Sequence, residues 1–195
     1  MQKIKQPLAI LLIVAFFLGI GFLTDLVWDK MEKATHPQDF GDIVKKYAAE
    51  YGIPEHVLFA VIKTESGFDP NATSRAGAIG LMQMTAIAHE DTVARLKDGT
   101  AFRDLYDPDV NVRHGACYLQ MMYELFGGDW ELALAAYNAG PGNVSQWLKN
   151  PDYTDEYGKL TYVPFDETRS YISKVNSAME QYQKLYYTTN EGVES

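Results

Sequence analysis

The sequence predicts a mainly α-helical protein, with one hydrophobic helix at the N-terminus ahead of one helical domain. Three observations predict it. Residues 8–23 form an unbroken run of sixteen apolar residues. From residue 39 onward apolar side chains recur at spacings of three and four, the repeat of one helix face. No segment alternates apolar and polar residues as a half-buried strand would, although small hairpins within 67–79 and 151–164 stay open. The chain has 195 residues, 47% hydrophobic and 22% charged, enough for one packed domain and an additional segment.

The N-terminal run follows Lys3 and Lys5. Sixteen residues at helical rise cover roughly 24 Å, a little short of a bilayer core. Leu26, Val27 and Trp28 extend the segment to residue 28, with Trp28 at the interface. Two readings compete for 1–28, an uncleaved signal anchor and a cleaved signal peptide. The small-x-small candidate for cleavage is Gly19-Ile20-Gly21, and the length fits an anchor better. In both readings the lysines stay inside and the rest of the chain is exported. Residues 29–38 read as a polar linker with Pro37 near its end.

The domain spans 39–187, with a polar tail over 188–195. A first helix over 39–51 carries Phe40, Ile43, Val44, Tyr47 and Ala48 on one face, and Gly52 stops it. Pro54 suits a first helical position for a helix over 54–66. Residues 67–79, rich in Gly, Ser, Asn and Ala, read as an ordered loop. A helix is expected over 81–96, and another capped by Asp109 that reaches residue 126, where Gly127 and Gly128 end it. Asp129 caps a helix over 130–139. A short helix over 144–148 and a Tyr-rich loop over 151–164 follow. Asp166 caps a last helix that ends near residue 187.

Charge excludes one class of partner. The net charge is −9, and beyond residue 23 it is −11, with 15 basic residues against 26 acidic. Affinity for nucleic acid rests on Lys and Arg neutralising phosphates, so nucleic acid is not an expected partner. Cys117 is the one cysteine. It cannot form an intramolecular disulfide and reads as a small apolar residue. His36, His56, His89 and His114 lack metal-ligand spacing, and neither a metal nor a cofactor is expected.

One carboxylate stands out. In the helix after Pro54, Val57, Leu58, Val61 and Ile62 form an apolar stripe. At 100° per residue, Glu65 falls at about 80° from Val57, in the middle of that stripe. Burial disfavours the ionised form, and the last turn of a helix adds the negative end of its dipole. Both raise the pKa, and a carboxylic acid still protonated near neutrality is what a general acid needs. Periodicity leaves a structural alternative open: a glutamate paired with Lys63 or Arg75, or a helix that ends earlier.

Four ordered blocks bear on that choice. They are Glu65-Ser66-Gly67-Phe68-Asp69-Pro70, Ser74-Arg75-Ala76-Gly77-Ala78-Ile79-Gly80-Leu81-Met82-Gln83, Ala135-Ala136-Tyr137-Asn138-Ala139-Gly140-Pro141-Gly142, and Pro164-Phe165-Asp166-Glu167-Thr168-Arg169-Ser170-Tyr171-Ile172. In this order the sequence resembles the soluble-type lytic transglycosylase catalytic domain, related in fold to goose-type lysozyme, over about residues 40–187. The resemblance implies a lysozyme-like α-helical domain with a substrate cleft for peptidoglycan glycan strands. It implies Glu65 as the catalytic residue, and Ser66, Ser74, Gln83, Tyr137, Asn138 and Tyr171 as substrate-binding residues. Thr85, where some relatives carry Met, and residues 89–103, which match no block, depart from the pattern.

Most glycosidases use two carboxylates. No block here supplies a second in a similar environment, and Asp69 falls in the loop beside Pro70. The resemblance implies substrate assistance, with Glu65 as acid and then base and a 1,6-anhydromuramoyl product. Tyr153, Tyr157 and Tyr162 are candidates to stack on sugars. The exported placement leaves the membrane, through the N-terminal segment, as a further partner, and envelope machinery as a partner class. A hydrolytic muramidase and a silent wall-binding protein are the rival readings.

Overall fold

The computed structural model of the chain describes residues 6–188. Lys3 and Lys5, and the expected tail apart from Thr188, lie outside the described residues. The chain divides into two units, Met1–Pro37 and Gln38–Ser195.

The first unit is one helix, α1 (Gln6–Thr35). Its large apolar side chains from Ile10 to Trp28 are all exposed, and the stretch Ile10–Thr35 is long and apolar enough to cross a membrane. The helix does not end at residue 28. It continues through most of the expected linker to Thr35, because no Gly or Pro interrupts the chain between Gly21 and Pro37. Trp28 Nε1 donates to Glu32 Oε1 one turn on, at 3.0 Å. Pro37 disfavours helical backbone at the residue before it, and the helix stops there.

The second unit is helical and built around α3 (Glu55–Ser66). Every residue of α3 from Val57 to Ile62 is buried, so this helix is surrounded over more than one turn. It packs most heavily on α8 (Asp166–Tyr182), and also on α2 (Gly41–Tyr51). A second layer pairs α5 (Pro108–Leu125) with α6 (Trp130–Ala139), which also touches α7 (Pro141–Trp147) and α8. α4 (Ala86–Leu96) and a 3₁₀ turn, Phe102–Tyr106, lie against α5. Aromatic contacts tie the layers: Phe59 of α3 stacks on Tyr182 of α8 at 5.4 Å, and Tyr118 of α5 meets Tyr137 of α6 at 5.5 Å.

The helix punctuation follows the expected chemistry at Gly52, which is left-handed (φ 65°), and at Asp129, whose carboxylate accepts from the N–H groups of Glu131 and Leu132. Several boundaries differ. α7 starts at Pro141 and not at 144, with the proline in its first turn. The helix expected from residue 81 starts at Ala86. Gly80 and Gln83 both adopt positive φ, so residues 81–84 are a turn, and Thr85 caps α4 by accepting from Ala88 N–H. Asp107, not Asp109, caps α5, since Pro108 takes the first helical position; Asp109 instead accepts from Tyr47 Oη (2.7 Å) and Lys46 Nζ (2.9 Å). α8 begins at Asp166 without a side-chain cap, and past Tyr182 the chain widens into a π-helical turn, Gln183–Tyr187. Among the described residues there are no extended strands. Isolated bridges Thr73–Ile79, Ile79–Met84 and Thr154–Leu160 mark the two loops where small hairpins stayed open.

Candidate active site

Glu65 sits in the last turn of α3, one residue before its end. The chain then leaves sharply, with Gly67 at φ 61° and Phe68 at φ 70°. A left-handed phenylalanine is unfavourable, and burial of its ring against Phe59 (6.4 Å between centroids) holds it there. Ser66 stabilises the same corner. Its hydroxyl donates to Ile62 O (3.2 Å) and accepts from Phe68 N–H (3.1 Å). The position expected to touch substrate therefore spends its hydroxyl on the helix end.

Burial raises the Glu65 pKa from 4.5 to about 7, and the Tyr171 hydroxyl acts in the opposite direction. Tyr171 comes from α8 and is 7% exposed. Its Oη makes no hydrogen bond of full geometry within the protein, although it lies close enough to Glu65 to favour the carboxylate. Tyr137, from α6, is the second aromatic beside the acid. The proximity of Glu65 adds to burial in pushing both tyrosines well above their ordinary pKa.

Tyr137 does not offer its proton to Glu65. Its Oη donates to Met82 O at 2.7 Å, with Met84 Sδ at 3.7 Å. The loop that carries Met82 is cross-tied throughout. Ser74 Oγ accepts from Ala78 N–H (3.0 Å), and Gln83 Nε2 donates to Gly80 O (2.9 Å) and Ala72 O (3.2 Å). Asp69, the nearest second carboxylate in sequence, is exposed and accepts from Asn71 N–H in its own turn (2.9 Å). Asn138 is joined to α8, where Thr168 Oγ1 donates to its Oδ1 at 2.8 Å.

The structure thus brings Glu65, Tyr137 and Tyr171 together. Gln83 is linked to them through the Met82 loop, while Ser66, Ser74 and Asn138 brace their local elements. Asn138 also lines a depression of about 570 Å³ together with Ala139 and residues 164–168. Tyr157 and Tyr162 line a larger cavity of about 880 Å³ between the 157–163 loop and the faces of α6 and α8. That cavity includes none of the seven expected site residues. Two residues that sequence reasoning missed are Asn111, fully buried and bonded to the loop that carries Met82, and Thr168, the partner of Asn138. A polar side chain among the buried positions of α5 was the available signal for Asn111, of the same kind that marked Glu65.

Among the described residues no three His, Cys, Asp or Glu side chains converge as a metal-binding set. Cys117 is buried, and burial raises its thiol pKa, as expected of a packing residue.

Comparison with known proteins identifies the family and the fold. Residues 42–158 match the family model of the transglycosylase SLT domain. The chain is 34% identical over 152 residues to the soluble lytic murein transglycosylase of Escherichia coli K12, covering 76% of this chain and 23% of that protein. It is 32% identical over 189 residues to the membrane-bound lytic murein transglycosylase C of Yersinia pestis, covering 85% of this chain and 52% of that one. An inactive glutamate-to-glutamine mutant of the lytic transglycosylase Slt of Pseudomonas aeruginosa superposes with a TM-score of 0.71 at 34% identity, over 80% of this chain and 26% of the other. The 70 kDa soluble lytic transglycosylase of E. coli gives 0.73 at 32% identity, over 80% and 26%. The chain spans between about a quarter and a half of the length of these relatives.

Proposed function

The chain belongs to the transglycosylase SLT domain family, and on that premise we propose that it is a peptidoglycan lytic transglycosylase with Glu65 as its single general acid and base. The observation that carries the proposal is a carboxyl group raised to about 7 by burial, with no second carboxylate acting on it. Near neutrality such a group is divided between its two forms. It can give a proton in one step and take one in the next.

In this reading Glu65 protonates the oxygen linking C1 of N-acetylmuramic acid to N-acetylglucosamine, and the C1–O bond breaks. The muramoyl N-acetyl carbonyl supports the positive charge that develops at C1. This substrate assistance is a recognised exception to the two-carboxylate scheme. The Glu65 carboxylate then removes the proton from the C6 hydroxyl of the same sugar, and O6 bonds to C1. The products are a 1,6-anhydromuramoyl end and a free hydroxyl on the departing strand. No water is consumed. In this reading Tyr171 holds the carboxylate formed between the two proton transfers, supported by its lowering of the Glu65 pKa.

The exposed apolar surface of α1 supports an anchor in the cytoplasmic membrane with the second unit outside it. If the segment is cleaved, the enzyme is secreted. The membrane-bound Yersinia relative fits the first placement.

Mass spectrometry of digested peptidoglycan tests the reaction. Anhydro-ended muropeptides, one water lighter than hydrolysed ones, are the expected product. Reducing ends alone would make the enzyme a hydrolytic muramidase, and no release of fragments would favour a silent wall-binding protein. Glu65→Gln should be folded and lose on the order of 10²- to 10⁴-fold in rate.

A further inference from the structure

Met82 is held by both of its backbone polar groups, from two different helices. Its N–H donates to Asn111 Oδ1 of α5 at 2.7 Å, and its carbonyl accepts from Tyr137 Oη of α6 at 2.7 Å. The Asn111 Nδ2 group donates to Leu105 O (2.7 Å) and Ile79 O (3.1 Å). One fully buried amide therefore satisfies backbone groups from both ends of the Ile79–Met82 turn and from the 3₁₀ turn. The fit leaves no slack. A Cβ at Gly80 would lie 2.1 Å from Asn111 Nδ2, and one at Gly115 would lie 2.4 Å from Met82 Sδ.

The Tyr137 hydroxyl has one proton, and it goes to Met82 O. The titratable groups that bear on Glu65 from packed elements are Tyr171 of α8 and Tyr137 of α6. α5 adds Tyr118 against the Tyr137 ring. No charged group from another element enters. A Tyr137 proton turned to Glu65 would favour the carboxylate and deprive the acid of its proton.

We propose that Asn111 is a positioning residue of the active site: it fixes the Met82 peptide so that Tyr137 donates to Met82 O and not to Glu65. The inference rests on the reading of Glu65 as the acid. Asn111 touches no reacting atom in this scheme. It acts through the direction of one hydroxyl.

The test uses the full chain in detergent. Asn111→Ala frees the Met82 peptide, and the Tyr137 proton becomes available to Glu65. The Glu65 carboxyl, followed by ¹³C NMR, should then titrate about one pH unit lower, with the alkaline limb of kcat/KM moving down alongside it. In a Tyr137→Phe background the same Asn111→Ala change should leave the Glu65 midpoint where it was, since no hydroxyl proton remains to redirect. A merely structural asparagine would lower the melting temperature and leave both midpoints in place. An unchanged midpoint in folded Asn111→Ala, or an equal fall in the Phe background, overturns the proposal. Should Asn111→Ala not fold, hydrogen exchange in the wild type decides. The Met82 amide should exchange as slowly as the core of α5, on the order of 10³-fold below an open loop amide, and rapid exchange there sinks the idea. Activity in Glu65→Gln would instead overturn the reading of the acid, and it would leave these exchange and titration results standing.

Discussion

The environment that raises the Glu65 pKa also makes a claim about stability. Its carboxyl titrates at about 7 in the folded chain against an ordinary 4.5, mainly because burial penalises the charge. Between those two values the native state holds a proton that the unfolded state has already released. The unfolded state binds fewer protons there, so stability falls as pH rises through that window and is level above it. The shift corresponds to about 3 kcal/mol of native-state destabilisation once Glu65 is ionised. Glu65→Gln keeps the shape and removes the charge. The variant should therefore match the wild type within about 1 kcal/mol at pH 4 and exceed it by up to about 3 kcal/mol at pH 8. For a domain of this size that is a rise in melting temperature on the order of 6–12 °C. Urea unfolding followed by Trp130 and Trp147 fluorescence at pH 4, 6 and 8 measures it. A gap that is the same at all three values, or a variant less stable at pH 8, would refute a half-buried, pKa-raised carboxyl. The substitution expected to slow turnover would thus stabilise the fold, the expected trade at a site that stores an unfavourable charge.

Three further outcomes follow from the same contacts. Tyr171→Phe removes a buried hydroxyl without a well-formed bond and a group that lowers the Glu65 pKa; its melting temperature should hold or rise, while the alkaline limb of kcat/KM moves to higher pH. Thr168→Val deletes the donor to Asn138 Oδ1 at a buried position and should cost about 1 kcal/mol in urea titrations. Gly115→Ala drives a methyl into Met82 Sδ and should cost about 1–3 kcal/mol by thermal melting.

Much of the fold was legible because its punctuation is local. Gly52 and Asp129 act through their own backbone and side-chain chemistry, and each ends or starts its helix where expected. The Asp107–Asp109 choice was also locally decidable: Pro108 prefers the first helical turn, which leaves the residue before it as the cap. The start of α4 was not decidable in this way. Leu81, Met82 and Met84 continue a helical period, yet all three are buried in a turn whose geometry depends on Asn111, some thirty residues away. The continuation of α1 to Thr35 failed for a different reason. Polar residues end a hydrophobic span without ending a helix.

Glu65 was legible as a candidate because a carboxylate on an apolar face marks it without reference to distant residues, and the four blocks, not the periodicity, made it the expected acid. The companions implied by the four blocks have a different character. Ser66 closes a helix, Ser74 closes a turn, Gln83 ties two carbonyls of its loop, and Asn138 accepts from Thr168. Their recurring pattern therefore encodes the rigidity of the walls as much as contact with a sugar. That is what a site with one carboxylate requires. Under the proposed mechanism, with no second charged group to compensate for misplacement, the proton leaves and returns along one line, and an error of an ångström in the surrounding walls is costly in rate. Met82, which contributes no polar side-chain chemistry, shows how far this goes: two helices each contribute one hydrogen bond to hold its peptide group.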